Sequence, residues 1–146
     1  MKNIEMAIDY IYRAKRCLKE AEMALKDLDA PGVIRRSQEA LELSVKAILR
    51  ALTIEYPRIH DVSDVLLQYS SKLPPELRGN INDLAELVSQ LASIRGPAFY
   101  GYEREGVPPS KAFKINFAEK IYFKVEKWVK LIIYVFEKYF KVKLNS

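Results

Sequence analysis

Apolar residues recur at steps of three and four through most of the chain, a spacing that predicts helices rather than strands. Proline, glycine and short polar runs separate five such segments. The predicted helices cover, in order, residues 2–28, 31–54, 61–72, 75–94 and 110–141. The short turn after the first helix makes the second run antiparallel to it. The predicted fold is therefore all-α, an up-and-down bundle of about five helices with a long C-terminal helix.

The fourth helix carries an arginine on its apolar stripe. The stripe includes Val88 and Leu91, and the next member of the series is Arg95. A guanidinium at that position either caps carbonyl groups at the helix end or points into a cleft. Gly96 and Pro97 follow, and because proline lacks an amide donor and restricts the residue before it, we expect the helix to end there. The segment 96–109 is then a long loop, and long loops in compact chains are often functional.

The second helix presents two different faces. One face is rich in alanine and serine, which lets a neighbouring helix approach closely. The other is charged and includes Glu42 and Lys46, four residues apart in the order that favours an ion pair. The simpler expectation is a pair on the surface. The alternative is that Glu42 and Lys46 line a polar pocket.

The fifth predicted helix has an unusually broad apolar face. Its members are Ile115, Phe117, Ala118, Ile121, Tyr122, Val125, Trp128, Val129, Leu131, Ile132, Val135, Phe136 and Tyr139. Such a face exceeds what one bundle is expected to cover, so the pattern favours a homodimer built partly on this helix.

Composition narrows the possible chemistry. The 146 residues suit one domain over residues 1–146, and Cys17 and His60 are the only cysteine and histidine. We therefore expect no disulfide, no metal site, no thiolate–imidazole dyad and no cofactor. No apolar run approaches the roughly 20 residues of a membrane helix, and the N-terminus lacks a secretion signal, which predicts a cytoplasmic protein. Abundant lysine, isoleucine and tyrosine resemble a thermophile's composition.

The positive charge is concentrated near the C-terminus. The net charge is +5, yet residues 111–146 hold nine lysines and three glutamates, whereas residues 1–110 have a balance of −1. A basic segment of this kind suits nucleic acid or an acidic partner. The alternative is a solvated lysine face on a long helix.

Three segments in this order resemble the HEPN domain, a small helical bundle associated with nucleotide binding. Residues 38–49 are similar to its second-helix signature, in which glutamate and lysine lie four apart as Glu42 and Lys46 do here. Residues 59–62 resemble its next signature, a His-Asp turn before a short helix. The stretch from Arg95 to Tyr102, with the loop and long helix after it, resembles its last part.

The resemblance implies functions for individual residues. Ribonuclease members of the family carry an arginine, four to six residues, a histidine and commonly a tyrosine two residues later, and dimerisation brings two such corners together. Here the arginine is Arg95, the histidine position holds Tyr100, and the later tyrosine is Tyr102. Imidazole titrates near neutral pH and a phenol ordinarily does not, so the resemblance implies nucleotide or RNA binding more than cleavage. Arg95 can hold a phosphate bidentately while Tyr100 donates a hydrogen bond.

The resemblance also implies partners. Some HEPN proteins pair with a small nucleotidyltransferase that adenylylates the tyrosine at the place of Tyr102, as in toxin–antitoxin systems. The first hypothesis is thus a dimeric binding module that takes a nucleotide, RNA or a partner at Arg95, Tyr100, Tyr102, Glu42 and Lys46. The second is a metal-independent ribonuclease that uses Arg95 with Tyr100. The third is a structural subunit without a site, in which Arg95 only caps helix carbonyls and the tyrosines pack the loop.

Overall fold

The structure is a computed structural model that describes residues 2–144, without the side chain of Lys2. Over these residues the chain is an all-α bundle with no strand, as the periodicity predicts. The helices are α1 (Lys2–Lys26), α2 (Ala30–Ala51), α3 (Ser63–Gln68), α4 (Pro75–Arg78), α5 (Ile81–Tyr100), α6 (Pro109–Ala112) and α7 (Ile115–Phe140). No helix in the described part combines the length and hydropathy needed to span a bilayer.

Helix α2 is the centre of the bundle. It packs against α1, α5 and α7, and it begins where the Asp29 carboxylate accepts a hydrogen bond from the Gly32 amide at 3.0 Å. Small residues such as Ala40, Ser44 and Ala47 are fully buried and allow these neighbours to approach closely. Because α2 is covered on several sides, its charged residues also meet protein rather than open solvent.

Helix α5 is longer than the sequence predicts. The predicted end at Gly96 and Pro97 is wrong, because the helix continues through both residues to Tyr100. Pro97 removes one amide donor, at a typical cost of about 3 kcal/mol, but Ala98 is buried one residue later and the Pro97 carbonyl accepts the Gly101 amide at 2.7 Å. The helix ends at Gly101, whose φ of +71° suits a residue without a side chain.

The long predicted segments break into shorter helices at three places. The third predicted helix ends at Gln68 and is followed by a 3₁₀ turn over Ser70–Lys72. The fourth predicted helix is interrupted at Gly79 and becomes α4 and α5, and glycine is a residue at which such an interruption is expected. The fifth predicted helix is interrupted at Phe113 and Lys114 and becomes α6 and α7. Phe113 and Lys114 have extended backbone, and the Phe113 ring is buried against the bundle, stacked on Phe117 at a centroid distance of 6.2 Å. Burial of that ring accompanies the interruption of the helix.

The apolar face of α7 is mostly covered within one chain. Most of its predicted members are buried against the bundle, and Tyr139 is exposed. The expectation that this face exceeds what one bundle can cover is therefore wrong. Helices α2, α1 and α4 supply the cover, so the apolar face itself gives no reason for a dimer.

Candidate ligand-binding site between helices α2 and α5

A polar network lies between α2 and α5, and Glu42 is its central member. The Glu42 Oε2 atom accepts a hydrogen bond from Lys46 Nζ at 2.9 Å, and Oε1 accepts one from Gln38 Nε2 at 2.6 Å. The side chains of Glu42 and Lys46 are only 14% and 12% exposed. The expected surface pair is thus wrong. Of the alternative, in which both residues line a polar pocket, the geometry agrees for Glu42, whereas Lys46 is not among the residues that line that cavity.

The loop between α2 and α3 contributes further hydrogen bonds to the network. Lys46 Nζ also donates to the Ile59 carbonyl at 2.7 Å, which holds the loop on α2. His60 Nδ1 lies 2.9 Å from Glu42 Oε1. Because a carboxylate only accepts, Nδ1 is the donor, and Nε2 of a neutral ring keeps its lone pair. The loop itself turns where the Asp61 carboxylate accepts the Ser63 amide at 2.9 Å, directly before α3.

Arg95 joins this network from α5. Its Nη1 atom donates a hydrogen bond to Gln38 Oε1, so Gln38 connects Arg95 to Glu42. No hydrogen bond from Arg95 to the carbonyls of its own helix end is found among the described residues, which argues against the capping alternative. Nor does Arg95 have a carboxylate partner within 4.0 Å in residues 2–144. Its charge is held in place by a neutral amide.

An aromatic ring and a second arginine flank Arg95. The Arg95 guanidinium carbon lies 5.3 Å from the centroid of Phe99, one turn further along α5, and that of Arg35 from α2 lies 3.9 Å from the same centroid. Both distances allow cation–π attraction. Among the described residues, Arg35 Nε is buried and without a hydrogen-bond partner. Two cations are therefore brought together on one ring.

A small open cavity of about 140 Å³ gives access to this network. Its lining residues are Arg13, Glu39, Glu42, Leu43, His60 and Arg95. The cavity places His60 and Arg95, which are 35 residues apart in sequence, on one surface. Larger clefts occur elsewhere, but this one contains the predicted Arg95 and Glu42.

Tyr100 and Tyr102 lie outside the cavity. Tyr100 is 68% exposed at the end of α5, with its ring 5.8 Å from that of Phe99, and Tyr102 is 42% exposed. The backbone of Tyr102 is fixed by two hydrogen bonds with Val107, at 2.8 and 3.0 Å. The site that the sequence predicts is thus divided. Arg95, Glu42 and Lys46 are brought together, whereas the rings of both tyrosines are exposed to solvent, that of Tyr100 beside Phe99.

The network sets the charge of Glu42. Burial acts to raise the pKa of its carboxyl, but hydrogen bonds from Lys46 and Gln38 and the charges of Lys46 and His60 outweigh burial and hold that pKa below its ordinary value of 4.5. Glu42 is therefore an anion at neutral pH. It cancels the charge of Lys46, and the guanidinium groups of Arg95 and Arg13 are the cations of the cavity that have no ion pair in residues 2–144.

Four residues of this site were not predicted from the sequence to be part of it. Gln38 precedes Glu42 by one helical turn, and Phe99 follows Arg95 by one turn, so helical spacing was a signal for both. Arg35 lies two turns before Glu42 on α2, so helical spacing was a signal for it as well. His60 reaches the site through tertiary packing, for which the spacing along one helix gives no signal.

Comparison with family profiles identifies the chain. The profile of the HEPN domain matches residues 7–139, which is most of the sequence. The chain belongs to the HEPN domain family. Comparison with curated proteins and with solved structures gives no significant match. At the family level a HEPN domain is a nucleotide- or RNA-related helical module, and HEPN domains commonly form dimers. Within the described residues, no group of three or more histidine, cysteine, aspartate or glutamate side chains is arranged to hold a metal ion.

Proposed function

We propose that residues 1–146 form one HEPN domain that binds a nucleotide or RNA at the cavity between α2 and α5. The observation that carries this proposal is the state of Arg95. Its guanidinium is held by Gln38 and Phe99, has no carboxylate partner in the described structure, and faces an open cavity. A fixed guanidinium with free donors matches the geometry of a phosphate.

The residues around Arg95 suit the rest of a nucleotide. Arg35 adds a second positive charge on Phe99. Tyr100, exposed beside Phe99, offers an aromatic face on which a base can stack. Arg95 thus binds phosphate and Tyr100 binds the base, while Glu42 and Lys46 keep the cavity in shape. This assignment requires no metal ion or cofactor.

Binding measured by calorimetry tests this proposal. We expect ATP and a short RNA to bind the wild type, and Arg95→Gln to weaken binding at least tenfold, because a hydrogen bond to a charged group typically contributes about 1.5–3 kcal/mol. Arg104→Gln is the matched control, since it removes the same charge from an exposed loop residue. Absence of ATP binding, or equal losses in both variants, would contradict the proposal.

The proposed assembly is a cytoplasmic homodimer that pairs with a small nucleotidyltransferase. Tyr102 is the proposed modification site, because its ring is partly exposed while its backbone is fixed to Val107. In that reaction the phenol oxygen attacks the α-phosphorus of ATP, pyrophosphate leaves, and the phenol proton passes to solvent.

Sedimentation analysis tests the proposed homodimer. Mass spectrometry after incubation with ATP and a small nucleotidyltransferase is expected to show one added adenylyl group, which Tyr102→Phe prevents.

Metal-independent RNA cleavage is the second candidate function, and the position of His60 favours it. His60 lines the same cavity as Arg95, and Glu42 orients its ring. In this scheme Nε2 takes the proton of a ribose 2′-hydroxyl, whose oxygen attacks the phosphorus beside Arg95. The bond to the 5′ oxygen breaks, water protonates that oxygen, and a 2′,3′-cyclic phosphate forms. In this scheme His60, rather than Tyr100, acts together with Arg95.

Labelled RNA incubated with a chelator distinguishes the two candidates. Cleavage that disappears in both Arg95→Gln and His60→Asn, and persists in Tyr100→Phe, would support ribonuclease activity with His60. Cleavage that depends on Tyr100 instead would support the pair expected from the sequence. RNA binding without cleavage in the wild type leaves the first proposal in place and excludes the second.

A further inference from the structure

The solvent-facing side of α7 forms a second charged surface, away from the cavity. Its members share one side of the helix at steps of three and four, and we call them the outer ridge: Lys120, Phe123, Lys124, Lys127, Lys130 and Tyr134. All six are exposed. At 1.5 Å per residue the outer ridge is about 21 Å long. Buried residues such as Val125 and Val129 occupy the opposite side of α7 and hold the helix on the bundle.

Most of the positive charge on the outer ridge is not neutralised within the chain. Lys130 pairs with Glu126 at 3.4 Å, but in residues 2–144 no carboxylate lies within 4.0 Å of Lys120, Lys124 or Lys127. These three ammonium groups stand on successive turns of one rigid helix. Like charges held this close repel one another, and a polyanion laid along the helix would relieve that repulsion.

Two exposed aromatic rings alternate with these lysines. Phe123 and Tyr134 are 54% and 55% exposed, although phenylalanine is ordinarily buried. They lie about 16 Å apart along the helix axis. Exposed rings between lysines are the features by which proteins bind single-stranded nucleic acid, since bases stack on the rings while the cations follow the phosphates. A surface that only kept the protein soluble would not require the two rings.

The neighbouring cleft argues against an acidic protein segment as the occupant. This cleft, of about 540 Å³, has Lys124, Lys127 and Trp128 on one wall and Asp83 and Glu86 of α5 on the other. An acidic helix placed in the cleft would meet those two carboxylates. Lys120, Phe123, Lys130 and Tyr134 of the ridge do not line this cleft, so a strand that stacks on the two rings contacts residues outside it.

We propose that the outer ridge of α7 binds single-stranded nucleic acid, with the lysines on phosphates and with Phe123 and Tyr134 stacked on bases. This surface is independent of the Arg95 cavity. A mononucleotide tests the cavity, whereas the dependence of oligomer binding on the ridge lysines and rings tests α7. Failure of the proposed function and failure of this inference are therefore separate results.

Fluorescence anisotropy with labelled 12-nucleotide RNA and DNA single strands, titrated over a range of salt concentrations, tests the proposal. Each phosphate contact contributes about 0.7 to the slope of log K against log salt for single strands, so Lys120→Gln, Lys124→Gln and Lys127→Gln together are expected to lower the slope by about 2. The matched control is Lys19→Gln, Lys72→Gln and Lys111→Gln, three exposed lysines off the ridge. It makes the same change in net charge.

The aromatic part of the proposal has its own variants. Phe123→Ala and Tyr134→Ala are each expected to weaken single-strand binding about tenfold without changing the salt slope, because stacking removes no counterion. Phe140→Ala is unsuitable as a control because its ring packs on Phe136; Tyr12→Ala on α1 removes an exposed ring elsewhere and is expected to have no effect.

Four results would overturn the inference. The first is equal loss of binding in the ridge and control lysine triples, which would make the effect one of net charge alone. The second is binding of duplex as tightly as single strand, and the third is no effect of the two aromatic substitutions. The fourth is binding of an acidic peptide of equal charge with the same affinity as the oligomer. Preference between the RNA and DNA strands identifies which nucleic acid the ridge selects.

Discussion

The polar network around Glu42 and the outer ridge of α7 both consist of charged and aromatic side chains. They differ in how many hydrogen bonds and ion pairs hold those side chains in place. In the network, each carboxylate oxygen of Glu42 has a hydrogen-bond partner, and Arg95 is fixed by Gln38. On the ridge, three lysines have no ion pair in the described structure and two rings face solvent.

This difference separates two ways of binding a phosphate. A fixed guanidinium in a cavity is preorganised for one phosphate in one position, so little side-chain entropy is lost on binding. Mobile ammonium groups on a convex helix adapt to many positions, and their attraction is long-range and sensitive to salt. We therefore expect substitutions in the network to change stability as well as ligand affinity, and substitutions on the ridge to change affinity alone.

The largest expected effect tests the network at its centre. Glu42→Gln leaves the mostly buried Lys46 ammonium without its counter-charge, and we expect a loss of about 2 kcal/mol in the free energy of unfolding. Urea unfolding followed by circular dichroism measures it. On the ridge, Lys130→Gln removes an exposed pair with Glu126 and should change the same quantity by less than about 0.5 kcal/mol. Equal changes would remove the distinction between the two regions.

A smaller loss is expected at the α5 side of the network. Arg95→Gln leaves Gln38 Oε1 without its donor and removes one of the two cations on Phe99, for an expected loss of about 1 kcal/mol. Arg95→Lys keeps the charge but not the planar guanidinium, and we expect it to restore only part of the stability. A full recovery by lysine, measured in the same urea experiment, would show that charge alone matters at this position.

The pH dependence of stability sharpens the comparison further. Because the folded-state pKa of Glu42 is lower than its ordinary value of 4.5, the unfolded chain binds more protons, and stability rises with pH. The stabilisation by ionised Glu42 is complete above the pKa that its carboxyl has in the unfolded chain. It is lost as pH falls through the pKa of that carboxyl in the folded chain. We expect the difference in unfolding free energy between wild type and Glu42→Gln to shrink as pH is lowered from 7 to 3. A constant difference would mean that the Glu42 charge does not stabilise the fold.

The smallest expected effects concern the ridge. The triple substitution of Lys120, Lys124 and Lys127 by glutamine should leave the unfolding free energy within about 0.5 kcal/mol of the wild type, since exposed residues away from packed contacts usually have such small effects. The triple substitution is expected to be slightly stabilising, because it removes like charges on adjacent turns. A loss above 1 kcal/mol would show that the ridge has a structural function.

Helical spacing predicted the fold well and the site only in part. The number and order of the long helices follow from apolar steps of three and four, and Arg95 was correctly placed on a face that meets another helix. The position of α2 at the centre is a tertiary property, which is why Glu42 and Lys46 were expected on the surface. The rule that glycine and proline end a helix also gave a wrong boundary, because Pro97 lies inside α5 and the helix ends at Gly101.

His60 shows a second limit of sequence reasoning. Its distance of 35 residues from Arg95 gave no reason to place the two together, and the histidine position of the family motif holds Tyr100 instead. The loop after α2 returns over Glu42 because Lys46 binds the Ile59 carbonyl. The loop therefore places the His60 imidazole at the cavity that Arg95 of α5 also lines.

Gly101 has a consequence for altering this protein. A methyl group added there would lie 2.0 Å from the Val107 carbonyl oxygen, so even alanine would force the backbone of the loop away from the helix end. The four residues between Tyr102 and Val107, by contrast, are exposed. A fluorophore or a short insertion placed at Arg104 would therefore report on events beside Tyr100 and Tyr102 while the helix end at Gly101 and the backbone pair of Tyr102 and Val107 stay intact.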